Sequence, residues 1–135
     1  GVVLLRKIKP EMERCMTGPK QDGSTLTSRF LFPPEFIGFQ GHFPQQKILP
    51  GACQIQCALT TLEKGLGKGM ALREVVQAKF VAPVLPDQEI VCTVSDCNGI
   101  DGEWICRARL SRENERIAEL KLRVSPVQED GKRRP

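Results

Sequence analysis

One stretch of this chain, Pro50 to Gly69, carries the apolar spacing of an α-helix, and most of the chain after it carries the alternation of strands. Pro50 is preorganised for a helix start, because its missing N–H would have no intrahelical partner there. Ala52, Cys53, Ile55, Ala58, Leu59 and Leu62 then form a broad apolar face, and Gly65, Gly67 and Gly69 end it. This is the one convincing helix. A face that wide needs cover on most sides, which a single layer of strands supplies only by curling around it.

The strands are legible by their period of two. Thr25 to Phe32 is stopped by Pro33-Pro34, and Arg73 to Val81 ends at Pro83 and Pro86. Glu89 to Ser95 follows, then a turn-rich Asp96 to Gly102. Trp104, Cys106, Ala108 and Leu110 alternate with Glu103, Ile105, Arg107 and Arg109. After a polar turn at Ser111 to Glu115, Ala118, Leu120, Leu122 and Val124 alternate with Ile117, Glu119, Lys121 and Arg123. Val2 to Ile8, closed by Pro10, reads as a strand or a frayed arm, and Thr17 to Ser24 as a loop. The expected class is α+β: one central helix wrapped by a long antiparallel β-sheet.

With 135 residues the chain suits one domain, 1–126, followed by a charged tail, 127–135, expected to be solvated and disordered. No apolar run approaches the ~18–20 residues of a membrane span, and Gly1 to Arg6 does not read as a secretory leader. The protein is therefore expected to be cytoplasmic. The net charge of +4 is a mild basic excess, with no Tyr and one Trp to stack on bases, which argues against a nucleic-acid partner. The six cysteines contain no C-x-x-C pair and His42 is the sole histidine, so no metal and no dissociable cofactor is expected. Free thiols, mostly in the core, are expected instead.

Chemistry concentrates in Gly41-His42-Phe43-Pro44-Gln45-Gln46-Lys47-Ile48-Leu49-Pro50-Gly51. The histidine sits on an irregular segment directly ahead of a helix N-terminus, where free N–H groups carry partial positive charge. Phe36, Phe39 and Phe43 could build an apolar pocket around it. A base beside an anion-stabilising helix start suits deprotonation next to a carbonyl.

This run resembles the G-H-F-P-x-x-x-x-x-P-G signature of the beta-hydroxyacyl-acyl carrier protein dehydratases. A second block, Lys79-Phe80-Val81-Ala82-Pro83-Val84-Leu85-Pro86-Asp87-Gln88, is similar to that family's strand motif, and Gln54 resembles its aryl-polyene-type branch. The resemblance covers roughly residues 30–126 and implies a hot-dog fold. It implies His42 as the base that takes the C2 proton of a 3-hydroxyacyl thioester. The Gly51 N–H would be the donor to the thioester oxygen, and Ile48 would supply the carbonyl that orients the imidazole. Phe39, Phe43, Ile48, Pro50 and Thr60 fall among the substrate-binding positions. The family's carboxylate, fourteen positions after the histidine, is Gln56 here, Thr60 replaces a glutamine, and Lys47 a proline.

Gln56 cannot deliver an acidic proton. The resemblance thus implies a dehydratase of fatty acid or related polyene biosynthesis in which His42 handles both protons and Gln56 orients the hydroxyl. The alternative is an acyl-thioester-binding protein or inactive partner subunit. Acyl carrier protein or coenzyme A thioesters are the implied substrates, with Lys47, Lys64, Lys68, Arg73 and Lys79 suiting an acidic carrier. The implied assembly is a homodimer or a higher oligomer of dimers.

Overall fold

The computed structural model describes residues 2–40 and 46–127, residues 2–7 by their backbone alone. His42 and Phe43, and the tail from residue 128, lie outside the described residues. The elements run α1 (Val2–Arg14), β1 (Met16–Asp22), β2 (Thr25–Phe30), a 3₁₀ turn (Ile37–Phe39), α2 (Gly51–Leu66), β3 (Met70–Phe80), β4 (Ile90–Ile100), β5 (Glu103–Arg112) and β6 (Glu115–Pro126). The six strands form one antiparallel sheet in the order β1-β2-β4-β5-β6-β3.

Helix α2 starts after Pro50 and ends at Gly67, whose φ of 69° is the left-handed conformation a C-terminal cap requires. It packs across β1 to β4. The sheet residues that meet this core are the alternating ones: Cys106, Ala108 and Leu110 on β5, and Ala118, Leu120, Leu122 and Val124 on β6. The β4–β5 and β5–β6 hairpins turn on two residues each, Asp101-Gly102 and Glu113-Asn114. All four have positive φ, the turn whose twist matches that of paired strands.

Three expectations are corrected. The amino-terminal segment is a helix, although β-branched residues and Pro10 argued otherwise. Ile8 and Met12, one turn apart, bury their side chains, and the Met12 sulfur lies 3.7 Å from the Cys57 Sγ on α2. Lys9 and Glu13 pair with Glu63 and Lys64 of α2. Tertiary contacts override local propensity here. The stretch from Thr17 to Ser24 is mostly strand β1, recruited by its ladder with β2, and only Gly23-Ser24 turns.

The third correction concerns the cysteines. The segment from Asp96 to Ile100 continues β4 instead of turning, and Asp96-Cys97 bulges opposite the single residue Cys106. That extra residue places Cys97 on Cys106, and the two are disulfide-bonded. Cys15, Cys53, Cys57 and Cys92 are free.

Burial pushes the Cys53 thiol up from its ordinary 9.0 to about 11 and Cys92 to about 12. Cys57 is raised well above 9.0, by burial first and then by Cys92, Cys53 and Cys15 around it. The unfolded chain therefore releases these protons first as pH rises. The stability tied to these thiols is complete below pH 9.0 and is lost as pH climbs through 11 to 12. The urea midpoint should fall steadily above pH 9.0; a flat midpoint up to pH 11 would contradict the burial.

Candidate active site

The start of α2 is open. Pro50 stands at the N-cap in an extended conformation and offers no capping side chain, while its carbonyl accepts from the Cys53 and Gln54 N–H groups at 3.0 and 3.1 Å. Just before it, the Leu49 N–H donates to the Val84 carbonyl at 2.8 Å. This contact brings the Phe80–Val84 stretch against the helix start. A cavity of about 520 Å³ opens there, bounded by Ile48, Pro50, Gly51, Gln54, Phe80 and Ala82. The Phe80 ring lies so close that a Cβ on Gly51 would come within 2.9 Å of it, so any larger residue there would push this half-exposed ring aside.

Gln54 was legible only as a branch marker. It is 3% exposed, its amide nitrogen donates to the Leu49 carbonyl at 3.4 Å, and its buried Oε1, beside the cavity, has no partner among the described residues. A buried unpaired acceptor is costly and asks for a donor. Replacing it by methionine removes the unpaired acceptor and the long bond to the Leu49 carbonyl together, so the melting temperature should change little while the KM for a bound thioester rises about tenfold. A lower melting temperature with unchanged KM would make Gln54 a purely structural residue.

Gln56 lies on a different side of α2. Its amide donates to the Thr60 Oγ1 at 3.0 Å, and Thr60 is fully buried beneath it. Five residues of helix separate Gly51 from Gln56, about 140° around the axis. Gln56 accordingly opens into a second cavity, of about 360 Å³, with Ile55, Leu59 and Leu72. Within one chain, Ile48, Pro50 and Gly51 are brought together, and Gln56 with Thr60 is not brought to them.

The aromatic segment packs into the core. Phe30, Phe32, Phe36 and Phe39 pack ring to ring at 4.5–5.9 Å and are all buried, so Phe36 and Phe39 belong to the core, while Phe43 and His42, around which a pocket was expected, lie outside the described residues. Several basic residues also have local partners: Lys47 the Pro34 carbonyl, Lys64 the Glu13 carboxylate, Lys68 the Trp104 ring and Arg73 the Ser125 hydroxyl. Among the described residues, no group of three or more His, Cys, Asp or Glu side chains is arranged to hold a metal ion.

The family model described as ApeI dehydratase matches residues 18–124, which is most of the sheet and all of α2. The chain belongs to the ApeI-like dehydratase family. Curated relatives include the 3-hydroxyacyl-[acyl-carrier-protein] dehydratase FabZ of Clostridium botulinum (strain Eklund 17B / Type B). It is 29% identical, over 53% of this chain and 64% of its own length. The FabZ of Clostridium beijerinckii is 24% identical over the same shares. The chain thus spans under two thirds of the length of these relatives.

Among solved structures, the dehydratase heterocomplex ApeI:P from Xenorhabdus doucetiae superposes with a TM-score of 0.70 at 19% identity, covering 82% of this chain and 96% of that one. The fluoroacetyl-CoA thioesterase FlK reaches 0.64 at 12% identity, covering 82% and 90%. At such identities these structures establish the fold alone, and the α+β architecture is a hot-dog fold. In this ApeI-like chain the helix start, the Phe80 block and Gln56 all fall inside the matched residues. No helix among the described residues is long and apolar enough to cross a membrane.

Proposed function

We propose that this chain dehydrates 3-hydroxyacyl thioesters, carried on acyl carrier protein or coenzyme A, to trans-2-enoyl thioesters and water. The observation that carries the reading is the uncapped start of α2, where Gly51 opens into the Phe80 cavity a few residues after the histidine segment. The His42 imidazole takes the C2 proton, and the thioester oxygen gains enolate charge against the Gly51 N–H. As the C3–O bond breaks and the C2–C3 double bond forms, the imidazolium returns its proton to the leaving hydroxyl, which departs as water. Gln56 orients that hydroxyl through its amide.

Because Gly51 and Gln56 open to different sides of α2, one chain does not present both to one substrate. The proposed unit is a homodimer in which Gln56 of one protomer faces the Gly51 cavity of the other. Strand β3 supports this, as a long edge of the sheet that leaves Leu72, Val75, Val76 and Phe80 exposed. A second reading has its own support: the Gln56 amide is already held by Thr60, and the ApeI of Xenorhabdus doucetiae was solved as a heterocomplex. In that reading the chain binds acyl thioesters as the weaker subunit of a mixed pair.

Incubation of the purified chain with 3-hydroxyacyl carrier protein separates the two, with the enoyl product detected by mass or ultraviolet absorbance. Product from the chain alone supports the enzyme. Binding without product, restored to turnover by a second family member, supports the mixed pair.

A further inference from the structure

The cavity that opens at Gln56 has an end built of charge. Gln56 and Glu63 are two turns apart on one side of α2, about 10 Å along the axis. Between them the wall is apolar, formed by Ile55, Leu59, Met70 and Leu72. At the far end the Glu63 carboxylate is 9% exposed and accepts twice: from the Met70 N–H at 2.8 Å and from the Lys9 ammonium at 3.0–3.1 Å. Lys9 reaches over from α1, which is fixed alongside by the Lys64–Glu13 pair at 3.0 Å.

Past this pair a further cavity of about 350 Å³ shares Lys9 and Glu63 but is otherwise bounded by Glu13, Lys64, Lys68 and two glycines. The Lys9–Glu63 pair therefore stands between two neighbouring cavities along α2, apolar on the Gln56 side and polar on the other. An alkyl chain entering at Gln56 gains by burial as far as Leu59 and Leu72. To go further it must displace the ammonium from a nearly buried carboxylate and lie against charge, which is unfavourable at every added carbon.

We propose that the Lys9–Glu63 pair sets the length of acyl chain this protein accepts, restricting it to short 3-hydroxyacyl thioesters. This inference rests on the dehydratase reading and deepens it. The test is kcat/KM for 3-hydroxyacyl thioesters from butyryl to palmitoyl, for the wild type, Lys9→Ala and Glu63→Gln. Lys9 is half exposed and Glu63→Gln keeps an acceptor for the Met70 N–H, so both variants should fold, which a thermal melt checks. The wild-type value should drop about tenfold or more once the chain outgrows the apolar stretch. Either variant should raise the ratio of the palmitoyl to the butyryl value about tenfold. A wild-type profile flat in chain length, or one the variants do not move, overturns the inference and leaves the dehydratase reading standing. No turnover at any length overturns both.

Discussion

Gln56→Glu is expected to raise the dehydration rate about 10–10³-fold, while His42→Ala removes whatever rate the wild type has. His42 and the Gly51 N–H serve the enolate side of the reaction, so the step left without an acid is departure of the hydroxyl. The site can take the substitution. The Gln56 amide now donates to the Thr60 Oγ1 at 3.0 Å, and a hydroxyl that accepts can equally donate to a carboxylate. Glu63 lies two turns away with its charge compensated by Lys9, so repulsion between the two carboxylates is small. The gain should stop short of the full acid–base range because Thr60 and Lys47 keep their present identities. Enoyl formation by single-turnover absorbance measures both variants. A wild type already at ordinary turnover, impaired by Gln56→Glu, would show that the amide is the evolved group.

Lysines at Val75 and Val76 are expected to convert a dimer to monomers and to abolish turnover with it. The two edges of the sheet differ. Strand β1 is seven residues long and carries Gly18, Pro19, Lys20 and Asp22, features that discourage further pairing. Strand β3 has eleven residues, is exposed from Leu72 to Phe80, and leaves Leu72, Val75, Val76 and Phe80 each 38–46% in solvent. Arg73, Glu74 and Lys79 interrupt that edge, but its length and its exposed Leu72, Val75, Val76 and Phe80 leave room for a second strand, and a copy of itself satisfies the ladder symmetrically. Lysines there would meet their own copies across a two-fold axis. Sedimentation of wild type and variant at micromolar concentration reads the result. A monomeric wild type that still dehydrates would refute both the dimer and the shared site.

The elements that could be read from the sequence are those whose side chains follow a local period. Helix α2 from Gly51 to the Gly67 cap follows the 3.6-residue repeat, and β5 and β6 the two-residue repeat, because backbone geometry alone aims their side chains at the core. The helix start after the histidine segment was legible because Pro imposes its conformation wherever it stands, and the later Phe80 block through its resemblance to the family's strand motif. What was missed depends on residues far apart in the chain. Helix α1 is held by Glu63, Lys64 and Cys57, β1 by its ladder with β2, and the Cys97–Cys106 bond by a bulge that no local signal announces. The site divides in the same way. The sequence by itself determined which groups the chain brings: Gly51 at a helix start, Gln56 where a carboxylate would serve, and a single histidine. Only the tertiary structure decided that Gly51 and Gln56 open to different cavities, that the buried Gln54 Oε1 has no partner among the described residues, and that the Lys9–Glu63 pair stands at the end of the Gln56 cavity. Periodicity is a property of neighbours along the chain, whereas a cavity and its end wall are made by elements that meet only after folding.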